Sequence, residues 1–411
     1  MAAMTTLDDA LTHVLAQAQF LGVEHVDLFN ADARVLGKDC ISALQVPPQD
    51  NSAMDGYAVR TADITAAGVA LPVSQRIPAG HVGHALQPGT VARIFTGAPV
   101  PPGADAVLMQ EDTQLLANGS VQLNAVALLG QNIRRAGEDI SLNSTVLTKG
   151  MRLTPAAVGL AASIGMAQLP VGRKPRVALF STGDELVLPG TVAPQDMRVG
   201  SIYNSNRYFL HALLQRLGCE VVDGGILPDN REQTVQAIHK VAQDCDLVLS
   251  SAGVSVGEED HVKPAVEQQG ELNLWMISMK PGKPFAYGKV FRNGQDTAQG
   301  FAHFMGLPGN PVSSFITFLL LVRPFVLRLQ GMVDVAPKAI EVIAQFEWTK
   351  KEKRREFLRA RHTAQGLALF GNQGSGVLTS TVWGDGLIDN PPLTSIQPGD
   401  TVRFIPFTEL L

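Results

Sequence analysis

Arg176-Val177-Ala178-Leu179-Phe180-Ser181-Thr182-Gly183-Asp184-Glu185 decides the fold. Residues 177–180 are apolar without a break, and a Ser-Thr-Gly turn with two carboxylates follows. A short apolar run closed by turn residues fits a strand buried on both faces. The construction recurs at 246–251, which leads into Ser251-Ala252-Gly253-Val254-Ser255-Val256-Gly257. Helical patterns are read at 207–217, 232–243 and 261–269. Strands are read at 220–224, 274–279 and 285–287, and a long helix at 311–329. Strands alternating with helices predict a parallel, doubly wound sheet.

Outward from this α/β core, residues 7–20 read as a helix capped by Thr5 or Thr6, and 31–36 as a second helix. From residue 47 to about 126, Gly and Pro are frequent and short strands such as 91–95 and 106–109 lie between turns, which reads as a β-rich module. A helix over 153–165 opens with Thr154 as cap and Pro155 in the first turn. Gly172-Arg173-Lys174-Pro175 reads as a hinge. Residues 333–411 alternate strands with Gly turns and read as a small β-barrel or sandwich. The expected fold is therefore multidomain α/β plus β. Its parts are a linking domain of discontinuous segments (1–46 and 131–173, its first helix free to pack on the α/β domain), a β-rich insertion (47–130), an α/β domain (174–330) and a C-terminal barrel (331–411).

Bulk properties narrow the function. Hydrophobic residues are 45% of 411 and charged residues 17%, enough for roughly two to four packed domains. The net charge of −5 with no basic stripe argues against a dedicated nucleic-acid binder. Cys40, Cys219 and Cys245 match no metal-ligand spacing and read as reduced core thiols, as expected in the cytoplasm. The N-terminal ten residues carry Asp8 and Asp9 and no apolar run, unlike a signal peptide. The apolar stretch 315–322 is too short to cross a bilayer.

Ligands of a doubly wound sheet bind beyond the carboxyl ends of its strands. Four loops qualify there. Ser181-Thr182-Gly183-Asp184-Glu185 offers hydroxyls, N–H groups and carboxylates, or is a plain turn. The loop from Ser251 through Gly253, Ser255 and Gly257 to Asp260 can surround phosphate oxygens, or is a crossover. Pro308-Gly309-Asn310-Pro311 opens the long helix, with Asn310 as a natural cap that needs no ligand. Lys280-Pro281-Gly282-Lys283-Pro284 places two lysines in a stiff turn, suited to an oxyanion or to solvent. Asp55, Asp139, Glu185, Asp229 and Asp260 form an acidic set with no His or Cys cluster, so a bound metal would be oxygen-ligated Mg²⁺. Composition leaves that set unproven.

Together these loops resemble the molybdopterin molybdenumtransferase family, the bacterial MoeA type and the gephyrin E domain. Further stretches carry the resemblance: Asn51-Ser52-Ala53-Met54-Asp55-Gly56-Tyr57-Ala58, Ile94-Phe95-Thr96-Gly97-Ala98-Pro99 with Gly103-Ala104-Asp105, and Arg134-Arg135-Ala136-Gly137-Glu138-Asp139-Ile140. With the four α/β loops they run in order over essentially the whole chain. The resemblance implies a Mg²⁺-dependent transferase of molybdenum cofactor biosynthesis. Its substrates would be molybdate and adenylylated molybdopterin, and AMP would leave. It implies a homodimer whose site joins the α/β domain of one subunit to the β module of the other, with the molybdopterin adenylyltransferase and molybdoenzyme apoproteins as further partners. It assigns Glu185, Asp229 and Asp260 to metal or water positioning, with Asp55 and Asp139 completing the catalytic set. Thr96, Arg134, Ser181, Thr182, Gly183, Gly253, Ser255, Gly257, Pro308, Gly309 and Asn310 would bind pterin or nucleotide. Lys280, Lys283, Arg354 and Ser375 would line the molybdate site. One departure stands out: Lys353 replaces the family's Gly before Arg354, and Arg355 follows, so the register of the Arg354 match is open. Two other readings remain, an adenylyltransferase resembling residues 176–330, and a scaffolding role.

Overall fold

The structure is a computed structural model, and it describes residues 4–227, 230–253, 261–292 and 300–411. The chain divides into two compact units, one of Met1–Lys38, Lys149–Leu153 and Leu169–Leu411, the other of Asp39–Thr148 and Thr154–Gln168.

In the larger unit, the expected α/β elements are β1 Arg176–Thr182, α1 Ser205–Arg216, β2 Glu220–Leu227, α2 Arg231–Ala242, β3 Leu247–Ser251, α3 Val262–Gln269, β4 Gly270–Met276 and β5 Pro284–Phe291. A strand not foreseen, β6 Phe301–Leu307, lies at the centre of the sheet, whose order is β2-β1-β3-β6-β5-β4. The sheet is mixed rather than wholly parallel. The first four strands in that order run parallel, while β5 pairs antiparallel with β6 and with β4. The reason is connectivity: short links between β4, β5 and β6 allow hairpin-like pairing, whereas parallel strands need long crossovers.

The helix expected over 311–329 is built in three pieces: Pro311–Thr317, a wider π-helical turn Phe318–Val322, and Arg323–Leu329. Pro324 explains the break, because it has no N–H to donate to the preceding turn and its ring crowds the carbonyl there. The whole span Pro311–Leu329 is long and apolar enough to cross a membrane, a correction to the shorter stretch read from sequence; 89% of it is buried inside the protein, as in a core helix. The N-terminal helix Leu7–Gln17 is capped by Thr6, which accepts from the N–H of Asp9. Its Leu7, Ala10 and Val14 join the core formed by β1, β3 and the long helix. No helix forms over 31–36. Ala33 takes a left-handed conformation (φ 61°), and Val35 and Leu36 are extended, bridging to Arg152 and Val171. Both side chains are buried, and their bridges to distant segments override the local helical pattern.

The C-terminal segment forms β7 Ile340–Ile343, β8 Arg355–Thr363, β9 Gly366–Leu369, β10 Gly386–Asn390 and β11 Thr401–Pro406. Pairing runs β9-β8-β10-β11-β7, and Gln345 donates to the Leu367 carbonyl at 2.9 Å beside an Ala344–Leu367 bridge. That bridge returns the β7 end to β9 and nearly closes a small barrel around Leu358, Ile388 and Phe404. All three cysteines are free and buried.

The smaller unit carries a six-stranded sheet in the order Ala106–Met109, Gly56–Val59, Val91–Ile94, Val69–Ile77, Ser120–Leu123, Thr113–Leu115. Alternation puts Tyr57, Val59 and Leu108 into one apolar layer and Ala58, Ile94 and Val107 into another. Helix Pro155–Ser163 begins as the sequence predicts, with the Thr154 hydroxyl accepting from the N–H of Ala157.

Candidate functional site

The carboxyl ends of three parallel strands are in register: Ser181 of β1 stands opposite Ser251 of β3, and Ser251 opposite Leu307 of β6. Their following loops therefore emerge side by side. The chain leaves β1 to join β2 on one side and crosses back to β3 on the other, the switch point where such sheets take ligands. After β3, Ala252 and Gly253 both turn left-handed (φ 71° and 77°), and the Ala252 N–H donates to the Leu307 carbonyl at 3.0 Å. After β1, the Glu185 carbonyl accepts from Ile202 at 2.8 Å, which folds the loop over α1. In the first turn of α1, Asn206 donates to the Ser251 hydroxyl at 2.9 Å and to the Gly309 carbonyl at 2.7 Å. One buried amide thus fastens the loops after β3 and β6 together.

These loops enclose a cavity of about 410 Å³ lined by Thr182, Glu185, Asn204, Ser205, Asn206, Ser251, Ala252, Gly309 and Asn310, among others. Its described polar groups are hydroxyls, amides and one exposed carboxylate, Glu185. The Asn204 amide nitrogen is buried and has no partner among the described residues, and the same holds for the Ser181 hydroxyl just below. Unpaired buried polar atoms are costly, so Asn204 is a donor waiting for an acceptor.

A second cavity of about 500 Å³ shares Ala252, Gly309 and Asn310 with the first and adds Gly253, Lys280, Lys283, Pro308, Ser313, Arg354 and Ser375. The reversal of β5 brings the lysines here. The Lys280–Lys283 turn precedes β5, and because β5 runs antiparallel to β6 its start lies beside the end of β6. The short strand Met279–Lys280 pairs with Arg355 and Glu356 of β8, which brings Arg354 alongside. Val312 donates to the Ser375 carbonyl at 2.9 Å, and Asn310 donates to the Ser375 hydroxyl at 3.2 Å. Asn310 occupies the cap position but makes no side-chain cap bond; its amide holds Ser375 instead. The four residues expected at an oxyanion site, Lys280, Lys283, Arg354 and Ser375, thus line one cleft, with Arg354 rather than Arg355 as its arginine. Arg355 is turned away into ion pairs with Asp389 at 2.6 Å and Asp8 at 2.9 Å.

Electrostatics in this cleft involve a residue that sequence reasoning missed. Glu352 contacts Lys280 Nζ and Arg354 Nη2, each at 3.2 Å. The Arg354 hydrogen bonds, aided by Lys280 against partial burial, hold its carboxyl down at about 2. Asn206 was missed as well. Neither belongs to a motif; Glu352 reaches Lys280 across 72 residues of sequence, and Asn206 reaches Ser251 and Gly309 across 45 and 103.

In the smaller unit, three sequence signatures converge. Arg134 pairs across from Asn51 on a two-stranded ladder, Gly97 donates to the Ser52 carbonyl at 2.8 Å, and Ala53 to the Asn132 carbonyl at 2.8 Å. Asp55 accepts from the Thr96 N–H and hydroxyl, both at 2.8 Å; these bonds, the N–H first, hold its carboxyl below the usual range. Arg134 and Asp139 are exposed. Asp50, also unforeseen, takes Arg135 at 2.6 Å and the Ala136 N–H at 2.9 Å. Asp229, Ser255, Gly257 and Asp260 lie outside the described residues. Among the described residues, no group of three or more His, Cys, Asp or Glu side chains is placed to hold a metal.

Comparison with known proteins places this geometry. Residues 5–165 match the MoeA N-terminal region (domains I and II), 178–328 a probable molybdopterin binding domain, and 341–407 the MoeA C-terminal region (domain IV). The chain is 39% identical to a molybdopterin molybdenumtransferase of Haemophilus influenzae, over 99% of this chain and all of that protein. It is 37% identical to molybdopterin molybdenumtransferase 2 of Mycobacterium tuberculosis, over 89% of this chain and 90% of that protein. A molybdopterin biosynthesis MoeA crystal structure from Pyrococcus horikoshii superposes with a TM-score of 0.83 at 27% identity, covering 98% of this chain and all of that one. The chain belongs to the molybdopterin molybdenumtransferase family.

Proposed function

We propose that this protein inserts molybdate into adenylylated molybdopterin, with cleavage of the phosphoanhydride and release of AMP. The observation that carries the reading is the pair of adjoining cavities. One is lined by hydroxyls and amides at the switch point of the sheet, suited to a nucleotide phosphate. The other is lined by Lys280, Lys283 and Arg354 with the Ser375 loop, suited to a dianion. The two cavities share a rim at Ala252, Gly309 and Asn310, which supports ligands held side by side, as an exchange of nucleotide for metal requires. Relatives carrying the molybdenumtransferase name match over the flanking regions too, which favours insertion over adenylylation, since a pure adenylyltransferase resembles only residues 176–330.

Mg²⁺ fits the donor set. Glu185, Thr182 and Ser251 offer hard oxygen atoms at the first cavity, and Mg²⁺ takes one or two carboxylates and completes its shell with phosphates and water. In this reading Glu185, with Asp229 and Asp260, holds the ion, which neutralises charge on the phosphates when bound. Ser181, Thr182, Gly183, Gly253, Ser255, Gly257, Pro308, Gly309 and Asn310 orient the pterin nucleotide. Asp55, Thr96, Arg134 and Asp139 serve the same chemistry in a homodimer. The four-part domain division, a cytoplasmic location, and the adenylyltransferase and molybdoenzyme apoproteins as partners complete the proposal.

The decisive experiment incubates the purified protein with adenylylated molybdopterin and Mg²⁺, then adds molybdate. The expected result is AMP released in a burst on molybdate addition, with Glu185→Ala retaining the bound substrate. Adenylylation of molybdopterin from ATP, without molybdate-dependent AMP release, overturns the assignment.

A further inference from the structure

Glu352 has a contact pattern that a supporting residue does not need. Its Oε2 lies 3.2 Å from both Lys280 Nζ and Arg354 Nη2, and its Oε1 lies 3.4 Å from Arg354 Nε. The carboxylate therefore sits between two of the three cations that line the larger cavity, and presents its oxygens to them as an incoming oxyanion would.

A second carboxylate, Glu356, also reaches Lys280, at 3.4 Å. The two differ in their freedom to move. Glu356 is 1% exposed and held by the Trp348 indole N–H at 2.8 Å, so it is part of the wall. The Glu352 side chain is 25% exposed. Its backbone is fixed, because its carbonyl accepts from Leu393 at 2.7 Å. The Glu352 Oε1 also accepts from the Lys353 N–H at 3.1 Å, so the side chain leaves toward water by giving up that bond together with its ion pairs.

We propose that Glu352 is an internal competitor at the oxyanion site: its carboxylate neutralises Lys280 and Arg354, and a dianion must displace it to bind. This rests on the reading of the cleft as the molybdate site. The charge count sets the effect. Lys280 and Arg354 contribute two positive charges, and Glu352 and Glu356 remove two, so with Glu352 in place the net positive charge at the cavity is that of Lys283 alone. Swinging Glu352 into solvent adds a second. The hydrogen bonds from Arg354 and Lys280 keep this carboxyl ionised throughout the working pH range, so protonation does not open the site; the anion itself must. The competitor also acts as a filter. A weakly bound monoanion cannot repay loss of two ion pairs, whereas a dianion that engages both cations can.

The sign of the effect separates this role from a structural one. If Glu352 merely held Lys280 and Arg354 in position, its removal would weaken anion binding. If it competes, its removal strengthens it. The test is equilibrium dialysis of radiolabelled molybdate against the full chain at low ionic strength, for wild type, Glu352→Gln, Glu352→Ala and Arg354→Gln. Folding of each is checked by circular dichroism and an unchanged urea midpoint. The expected result is binding about five- to tenfold tighter in both Glu352 variants. Sulfate should gain too, so that a fixed sulfate concentration displaces more molybdate from the variants than from wild type. Glu352 variants that bind molybdate equally or more weakly than wild type overturn the competitor role. Arg354→Gln reports on the underlying reading instead. It should bind more weakly than wild type, and an unchanged affinity there means the cleft is not the oxyanion site, whatever Glu352 does.

Discussion

Replacing Asn206 by Ala removes a side-chain amide that joins the loops after β3 and β6. In the structure that amide donates at 2.9 Å to Ser251 and at 2.7 Å to Gly309, and Asn206 is 8% exposed. A buried hydrogen bond contributes about 0.5–1.5 kcal/mol net, so two contribute about 1–3 kcal/mol. The lower part of that range applies. Gly309 is exposed and its carbonyl can take water, while the Ser251 hydroxyl can rotate. A loss of about 1–2 kcal/mol corresponds to roughly 5- to 30-fold in an equilibrium constant. Since both partners line the smaller cavity and Gly309 lines the larger one as well, we expect the loss to fall on ligand binding as well as on stability. The assay is isothermal titration of AMP into wild type and Asn206→Ala, with urea unfolding alongside. Because a chain of two units need not unfold in one step, the fluorescence transition should be compared with circular dichroism. Asn206→Asp is the stronger variant: it sets a carboxylate oxygen against the Gly309 carbonyl at hydrogen-bonding distance, so it should bind AMP more weakly than Asn206→Ala. AMP affinities within twofold of wild type for both variants would refute the idea that this amide positions the loops.

Three further outcomes are expected. A Cβ on Gly56 would lie 1.8 Å from the Leu108 carbonyl oxygen on the neighbouring strand, so Gly56→Ala should destabilise the smaller unit by about 3 kcal/mol or more, seen as an earlier urea transition. Thr96→Val removes one of the two donors to Asp55 and leaves the backbone N–H, so the Asp55 carboxyl, followed by carbon-detected NMR, should titrate higher than in wild type yet still below an unpaired aspartate. Burial holds the His303 imidazole down at about 4, helped by Lys289, with Tyr287 Oη 2.9 Å from its Nδ1. The unfolded chain binds that proton near pH 6.5, so the stability contribution is full above about pH 6.5 and is lost progressively toward pH 4, by about 3 kcal/mol in total. His303→Asn keeps an acceptor for the Tyr287 hydroxyl but cannot titrate, and should flatten that part of the stability profile.

The strands beginning at Arg176 and Leu247 were legible because a strand buried on both faces writes an unbroken apolar run, and the loops after them followed from the rule of carboxyl-end binding. The strand Phe301–Leu307 was not legible. Its His303 and Gly306 interrupt the apolar pattern, and His303 is buried only because Tyr287 and the aromatic ring of Phe325 receive it. Without that strand the antiparallel course of β5 could not be seen, and with it the reason why a turn preceding a strand reaches the same edge as turns that follow strands. The helix expected at 31–36 failed for the opposite reason: Ala31 and Val35 have helical spacing, but the partners of Val35 and Leu36, Arg152 and Val171, lie more than a hundred residues on. The candidate site divides in the same way. Lys280, Lys283, Arg354 and Ser375 sit in recognisable stretches, whereas Asn206 and the Lys280 contact of Glu352 depend on tertiary pairings that no local pattern encodes.

The two adjoining cavities differ in where their walls come from. Every residue around the smaller one lies between Thr182 and Pro311, while the larger one borrows Arg354 and the Gln373-Gly374-Ser375 turn from the C-terminal barrel. On the proposed reading, substitutions in two loops of the barrel change half of the anion site and leave every side chain around the nucleotide cavity in place. The two cavities can then diverge independently, joined at Ala252, Gly309 and Asn310.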